Sequence, residues 1–411
     1  MKNEILYFGY NPSCENFRLP DQISDTAQKE SLSGSSEKLI QAGKEALRRS
    51  VANELESVPS DTDHIVPLSS GLDSRIILSL LLERSEIQND QIQTVSFGTR
   101  GTWDFEIGQQ VAKKAGVSNR ALDLNSSDFD WSVDSIRNYA NDLDTPARIF
   151  EGYVNSKIVE PFADDSVVWS GFMGDPTVGG HYPAKPSENW RDAVQYFIQF
   201  NEFTPQLCPD EFSPEAILPD ESFISQNFLT FEEQLDFAVR QQCFIRPLVI
   251  PEPERYCTPF MQEEWLSFAL NLPPEHRRNR RLFKSLVLDL DPELFSIATD
   301  ANRGLPLNAG NIAQYIQRVR LLTKRKLPEQ LGGNSVSPHT NYLNFASAFR
   351  EDGELKDTAK ELISEFEKRE VANWFSPRKI WEEHQNESDR SKEIRAICLA
   401  ELVSSESCGN F

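Results

Sequence analysis

A loop of small residues, Ser69-Ser70-Gly71-Leu72-Asp73-Ser74, stands between an apolar segment and a helical run. Small side chains allow the backbone to approach an anion, and the N–H groups and dipole of a first helical turn favour negative charge there. The serine hydroxyls add hydrogen-bond donors. Asp73 fits beside a phosphate only when a divalent cation lies between them. The loop therefore predicts a site for a magnesium-bound pyrophosphate.

A second loop of the same design, residues 170–182, holds four glycines and one carboxylate, Asp175. In open parallel sheets, ligands bind at the carboxyl ends of the strands, so we expect the loops after Leu68, Phe97 and Trp169 to be neighbours. Two glycine-rich loops, each with one aspartate, would then hold a single metal-pyrophosphate from both sides. The alternative is an ordinary glycine turn at a strand end.

Apolar segments and helical patterns alternate along the first half of the chain. Strands are predicted at 65–68, 92–97, 120–124 and 166–169, and helices at 37–56, 103–115, around 136–139 and at 149–159. This alternation is typical of an α/β fold with a doubly wound parallel sheet. Beyond residue 310 the pattern is all-helical. We therefore predict an N-terminal extension with a lead-in helix (1–60), an α/β domain (61–310) and a helical C-terminal region (311–411).

Composition limits the function classes. The 411 residues, 39% of them hydrophobic, are enough for a large core. A net charge of −22 repels phosphate backbones and anionic membranes, which argues against a nucleic-acid substrate. The six cysteines and five histidines show no metal-ligand spacing. With no signal-peptide pattern and no membrane-length apolar stretch, we expect a cytoplasmic protein without a membrane partner.

Both loops resemble motifs of the asparagine synthetase family. Residues 69–74 are similar to the Ser-Gly-Gly-Leu-Asp-Ser signature of N-type ATP pyrophosphatases, with Ser70 in place of the first glycine. Residues 170–182 resemble the family's Ser-Gly-Glu-Gly-x-Asp-Glu-x-Phe-Gly-Gly-Tyr segment, and 255–261 and 272–275 resemble two later motifs. Order and rough spacing agree over residues 40 to about 310. The resemblance implies a PP-loop ATP pyrophosphatase fold that uses ATP and Mg²⁺.

The resemblance also implies roles for individual residues. Asp73 and Asp175 would hold the metal. The pyrophosphate would be bound by Ser69, Ser70, Gly71 and Ser74, and the adenosine part by Leu68, Phe97, Ser170 and Gly171. Lys284 and Arg303, together with Asp175, are the catalytic candidates, because the two cations would neutralise charge on an acyl-adenylate. The alternative for Lys284 is a surface lysine on an amphipathic helix.

Two features depart from the family pattern. Residue 2 is Lys2, and fewer than 70 residues precede the first loop, so we expect this chain to lack the family's N-terminal glutaminase domain with its cysteine nucleophile. Ammonia would then come from solution or from a separate glutaminase, or another amine would be the nucleophile. Phe172 and Pro176 replace two glutamates, the first of which is thought to position or deprotonate the incoming nitrogen. Asp144 and Glu151 are candidates for that role, and the sequence selects neither.

We expect an AMP-forming ligase or amidotransferase that activates a small-molecule carboxylate as an acyl-adenylate and passes it to ammonia or an amine. The first alternative is an ATP-binding pseudoenzyme, because Ser70, Phe172 and Pro176 replace family residues. The second is a tRNA-modifying adenylase with the same loop. The acidic charge and the missing catalytic cysteine pair argue against it.

Overall fold

A five-stranded parallel sheet forms the centre of the molecule. The computed structural model describes residues 2–13, 17–27, 31–125, 129–143, 147–162, 164–251, 255–324, 338, 342–370, 372–386 and 388–406. Its strands are β1 (His64–Pro67), β2 (Ile92–Gly98), β3 (Ser118–Asp123), β4 (Val167–Trp169) and β5 (Tyr256–Cys257). Their order is β3-β2-β1-β4-β5, and every neighbouring pair is parallel. The predicted α/β fold with a parallel sheet is confirmed.

Helices make up most of the remaining described chain. They are α1 (Lys2–Phe8), α2 (Asp21–Ala27), α3 (Ser36–Leu55), α4 (Asp73–Leu82), α5 (Trp103–Ala115), α6 (Val133–Asn141), α7 (Ile149–Val159), α8 (Gly174–Thr177), α9 (Trp190–Asn201), α10 (Phe231–Leu235), α11 (Arg246–Val249), α12 (Glu263–Ala269), α13 (Pro274–Arg277), α14 (Arg281–Leu290), α15 (Asn311–Lys324), α16 (Phe345–Ala348), α17 (Glu354–Lys368), α18 (Pro377–Asn386) and α19 (Ser391–Glu406). Between α10 and α11 the chain forms a π-helix, Asp236–Ile245. The predicted helical C-terminal region is confirmed by α15 to α19.

The sheet is buried on both faces. Successive side chains of a strand point to opposite faces, and Val66 and Ile65 of β1 belong to two different hydrophobic clusters. The cluster around Val66 includes residues of α3, α4, α12 and α14. The cluster around Ile65 includes residues of α7, α17 and α19. Helices therefore cover both faces, as a doubly wound sheet requires.

Residues from both ends of the chain take part in this core. Leu6 of α1 and Ile397 of α19 lie in the same cluster as Ile65. The domain boundaries at 60 and 310 stay a prediction. Within the described residues, no helix combines the length and the apolar character that crossing a membrane requires.

Because the strands are parallel, the loops that follow β1, β2 and β4 emerge at the same edge of the sheet. Direct pairing fixes their spacing: His64 of β1 is opposite both Ile92 of β2 and Val167 of β4. The loop after β1 enters α4 and the loop after β4 enters α8. The sheet therefore places both glycine-rich loops side by side.

Candidate active site

The loop after β1 is folded by its own serines. The Ser69 N–H donates to Oγ of Ser74 (3.4 Å), and the Gly71 N–H donates to Oγ of Ser69 (3.1 Å). α4 begins at Asp73 without a side-chain cap from the preceding residue. The first turn of a helix leaves its N–H groups without intrahelical partners, so this turn retains donors for a ligand anion.

Ser70 is held from two sides. Its N–H and its hydroxyl both donate to Oδ1 of Asp104, at 2.9 and 2.5 Å, and its carbonyl accepts a bond of 2.8 Å from the Thr299 hydroxyl. Asp104 lies in the first turn of α5, directly after β2. Only 1% of Ser70 is exposed, so Ser70 shapes the loop. Its direct contact with pyrophosphate stays a prediction.

Asp73 and Asp175 are brought together. The Asp175 N–H donates to Oδ2 of Asp73 at 3.0 Å, which joins the start of α4 to the start of α8. Met173, just before α8, has a left-handed backbone (φ 66°) that turns the chain toward α4. The other side of Asp175 is bound by Arg280, which donates to Oδ1 at 2.6 Å. Two loops about a hundred residues apart in sequence thus meet at one pair of aspartates.

Three glycines allow the two loops to approach this closely. A Cβ on Gly174 would lie 2.5 Å from Cγ of Asp73, and one on Gly171 would lie 2.9 Å from Cβ of the same residue. A Cβ on Gly180 would overlap the Asp175 carboxylate. The loop after β4 therefore needs glycine at these positions because the carboxylates occupy the space of a side chain.

The electrostatics of the aspartate pair suit a divalent cation. Burial and the neighbouring charge of Asp175 raise the pKa of Asp73 well above its ordinary value, and Arg280 only partly opposes this. The described residues contain no group of three or more His, Cys, Asp or Glu side chains that could hold a metal. A cation at Asp73 and Asp175 would take its other ligands from phosphate and water, as Mg²⁺ commonly does.

A cavity of about 430 Å³ opens between the loops. It is within the size range of small-ligand sites. Eight of the twelve predicted site residues line it: Leu68, Ser69, Gly71, Asp73, Ser74, Phe97, Ser170 and Gly171. Ser70 and Asp175 are not among its lining residues in the described part of the chain. We call this space the first cavity.

Lys284 and Arg303 line a separate, second cavity of about 520 Å³. One turn of the chain separates the two cavities. Its first residue, Asp300, lines the first cavity, and the next three, Ala301, Asn302 and Arg303, line the second. Burial and Arg280 lower the pKa of Lys284, and Asp175 acts in the opposite direction. Lys284 therefore lies within electrostatic range of Asp175 although it does not line the first cavity. Its catalytic role, like that of Arg303, stays a prediction.

Arg75 is a supporting residue that the sequence reasoning missed. It is fully buried in the first turn of α4, and its guanidinium donates to the carbonyls of Leu294, Ile297 and Ala298 at 3.2, 3.2 and 2.9 Å. Burial lowers its pKa to about 10. These bonds tie α4 to the segment that carries Thr299. The sequence did contain a signal for this role, because Arg75 is the single cation in a mostly apolar helical run, and a buried cation needs hydrogen-bond partners.

Asp104 and Arg280 were also missed as parts of the site. Asp104 had a signal, because it begins the helix after β2 and so had to lie at the edge that carries the loops. Arg280 belongs to the basic run 277–281, a pattern that usually indicates a solvated surface but that, just before Lys284, is also compatible with phosphate contact; the sequence did not single out Arg280 within it. Within that run Arg277 is instead buried in an ion pair with Glu233. Only the tertiary contacts distinguish these two arginines.

The comparison with protein families agrees with this geometry. Residues 42–232, a little under half of the chain, match the family model described as asparagine synthase. The match covers both glycine-rich loops and confirms the predicted resemblance over these residues. No curated protein matches the chain significantly.

Proposed function

We propose, on the asparagine synthase match over residues 42–232, that this protein is an ATP-dependent ligase that activates a carboxylate as an acyl-adenylate. Pyrophosphate leaves in the first step, and ammonia or another amine displaces AMP in the second. The match supports an ATP-dependent, synthetase-like activity. The chemistry of the two steps, their substrates and a cytoplasmic location are our proposal.

One observation carries the proposal: the bond from the Asp175 N–H to the Asp73 carboxylate, which closes two glycine-rich loops over one position. Splitting ATP between its α and β phosphates needs donors and positive charge where the pyrophosphate charge develops. Ser69 and Gly71 of the loop, and Asp73 and Ser74 of the first turn of α4, line the first cavity. Mg²⁺ bound to Asp73 and Asp175 would neutralise charge on the leaving pyrophosphate.

The walls of the first cavity favour an apolar acid substrate. Ile158, Val159, Ile245, Val249 and Tyr256 line it together with Phe172. Among the described residues, Arg240 is the one arginine that lines it, and the Arg240 guanidinium lies 3.6 Å from the Asp236 carboxylate, which already neutralises part of its charge. An aspartate side chain would be buried there without a dedicated cation, which is costly. We therefore propose an acyl group that is less polar than aspartate.

The proposal is tested by ATP–pyrophosphate exchange with a panel of carboxylic acids that includes aspartate. We expect exchange with at least one apolar acid, and AMP as the nucleotide product once an amine is added. Lys284→Ala should lower the exchange rate, and parity with wild type would remove Lys284 from the mechanism. Release of ADP in place of AMP would contradict the proposal as a whole.

A second candidate function is nucleotide binding without catalysis. Asp104 occupies both donors of Ser70, and Phe172 and Pro176 line the first cavity where the family has glutamates. Calorimetry distinguishes the two candidates. Binding of Mg-ATP together with no exchange for any acid would favour the pseudoenzyme.

The ligase proposal includes two nitrogen sources, free ammonia and a separate glutaminase. Ammonium is added together with the acid that supports exchange, and amide formation under these conditions would show that free ammonia is used.

A further inference from the structure

His181 lines the first cavity together with Asp73 and Phe172. It follows the last glycine of the 170–182 loop, and 24% of its side chain is exposed. It is the only histidine that lines this cavity among the described residues. An imidazole, which has a nitrogen able to accept a proton, therefore lines the space where the acyl-adenylate would form.

Asp236 fixes the orientation of His181. Nδ1 of His181 lies 2.9 Å from Oδ2 of Asp236. Asp236 is 8% exposed and also accepts from Nε2 of Gln241 at 3.2 Å, while Arg240 lies 3.6 Å from its other oxygen. A carboxylate held in this way favours the tautomer with the proton on Nδ1. Nε2 is then the nitrogen that can accept a proton.

The π-helix places this pair at the cavity. Asp236 is its first residue, and Arg240, Gln241 and Ile245 of the same element all line the first cavity. In a π-helix, backbone hydrogen bonds connect residues five positions apart. Asp236 and Gln241 have the same separation in sequence, and their side chains are hydrogen-bonded to each other. Segments of this kind are rare and often occur at functional sites. The irregular helix therefore supplies both the orienting carboxylate and part of the wall.

Glu151, the described alternative for the base, does not line the cavity. Glu151 is 5% exposed and is ion-paired with Arg395 of α19. It is absent from the residues that line the first cavity in the described chain. Asp144 lies outside the described residues. Phe172 occupies the position of the family glutamate and has no proton to exchange. Of these candidates for the base, His181 is therefore the one that lines the first cavity in the described structure.

We propose that His181, positioned by Asp236, is the general base of the aminolysis step, an inference that rests on the proposed ligase function. As the amine nitrogen bonds to the acyl carbon, Nε2 of His181 takes the proton that the nitrogen loses. The electron pair of the breaking carbon–oxygen bond leaves with AMP. His181 then carries one positive charge, which Asp236 stabilises, until the proton passes to solvent.

The test separates adenylation from aminolysis, using the acid that gives the fastest ATP–pyrophosphate exchange. His181→Gln retains a hydrogen bond to Asp236 but has no basic nitrogen. General-base catalysis contributes about 10²- to 10⁴-fold, so amide formation from ammonia should fall by at least about 100-fold. Exchange should stay within about threefold of wild type because adenylation needs no such base. His276→Gln on α13 is the matched control and should leave both rates unchanged.

Two further measurements distinguish a base from a structural role. Hydroxylamine is a stronger nucleophile than ammonia and depends less on a base, so hydroxamate formation should fall less than amide formation in His181→Gln. The wild-type rate, expressed per concentration of unprotonated ammonia, should fall at low pH as the base is protonated, and this fall should vanish in His181→Gln and shift in Asp236→Asn. The titratable groups around the pair are Tyr182, Tyr196, Glu232 and Arg240, and Asp73, Asp104 and Asp300 line the same cavity.

The outcomes are distinct. Amide formation at the wild-type rate in His181→Gln, or an unchanged pH profile, would overturn the assignment and leave the ligase function standing. Equal loss of exchange and amide formation would show that His181 only supports the fold. Absence of exchange for every acid in wild type would refute the ligase function, and the assignment would fail with it.

Discussion

Replacing Gly174 by alanine should disable the site while leaving the fold in place. Gly174 begins α8 and does not have a positive φ, so its backbone accepts alanine. Only the contact with the site is affected, because the new Cβ would lie 2.5 Å from Cγ of Asp73 and 2.8 Å from both of its carboxylate oxygens. The substitution therefore tests whether the position of this carboxylate controls function.

The magnitude follows from the overlap. Non-bonded carbon atoms prefer a separation of about 3.5 Å or more, so a Cβ at 2.5 Å would displace the Asp73 carboxylate by about 1 Å. A displacement of about 1 Å in an active site can reduce a rate by about 100-fold, which corresponds to about 2.7 kcal/mol of transition-state stabilisation. Overpacking should also lower the free energy of unfolding by about 1–3 kcal/mol.

ATP–pyrophosphate exchange measures the rate, and calorimetry with Mg-ATP measures binding directly. Gly310→Ala is the matched control, because no atom lies within 4 Å of the added Cβ and the backbone has no positive φ. We expect Gly174→Ala to lose about 100-fold in exchange and the control to lose less than about twofold. Equal rates in the two variants would show that the carboxylate of Asp73 can move without consequence, and Asp73 would then have no role in the exchange reaction.

Three further substitutions probe the surroundings. Burial and a neighbouring carboxylate raise the pKa of Asp73, so its ionisation destabilises the cation-free protein as pH rises above the ordinary aspartate value of about 4. In EDTA at pH 7, Asp73→Asn should therefore have a higher melting temperature than wild type, and the difference between the two should shrink toward pH 4. A lower melting temperature of the variant at pH 7 would contradict this. Arg280→Ala should lower the exchange rate by at least about tenfold, because it releases the Asp175 carboxylate. Arg281 is exposed, so Arg281→Ala should leave the exchange rate unchanged. Equal losses of rate in the two variants would exclude a specific role for Arg280. Arg75→Met leaves several buried carbonyls without donors and should lower the free energy of unfolding in urea by about 3 kcal/mol or more. Arg49→Met, which removes an exposed ion pair, should lower it by less than about 1 kcal/mol. Similar values for the two variants would show that Arg75 does not hold α4 against residues 294–298.

Local patterns in the chain were sufficient for most of the secondary structure. The apolar runs and helical spacings predicted β1 to β4 and most of the long helices within a few residues, because these signals depend only on near neighbours. β5, with two residues, is too short to produce a pattern. The π-helix at 236–245 has the composition of an ordinary helix, so no local pattern reveals its irregular backbone.

The sequence by itself determined the two glycine-rich loops, their aspartates and the parallel α/β sheet that brings them to one edge. Tertiary structure decided which other side chains join them: Asp104 on Ser70, Arg280 on Asp175, and His181 with Asp236 in the first cavity. It also placed Lys284 in the second cavity. The physical reason is that loops and strands follow from local composition, whereas contacts between distant residues depend on how helices pack on the sheet. No pattern within a short window contains that information.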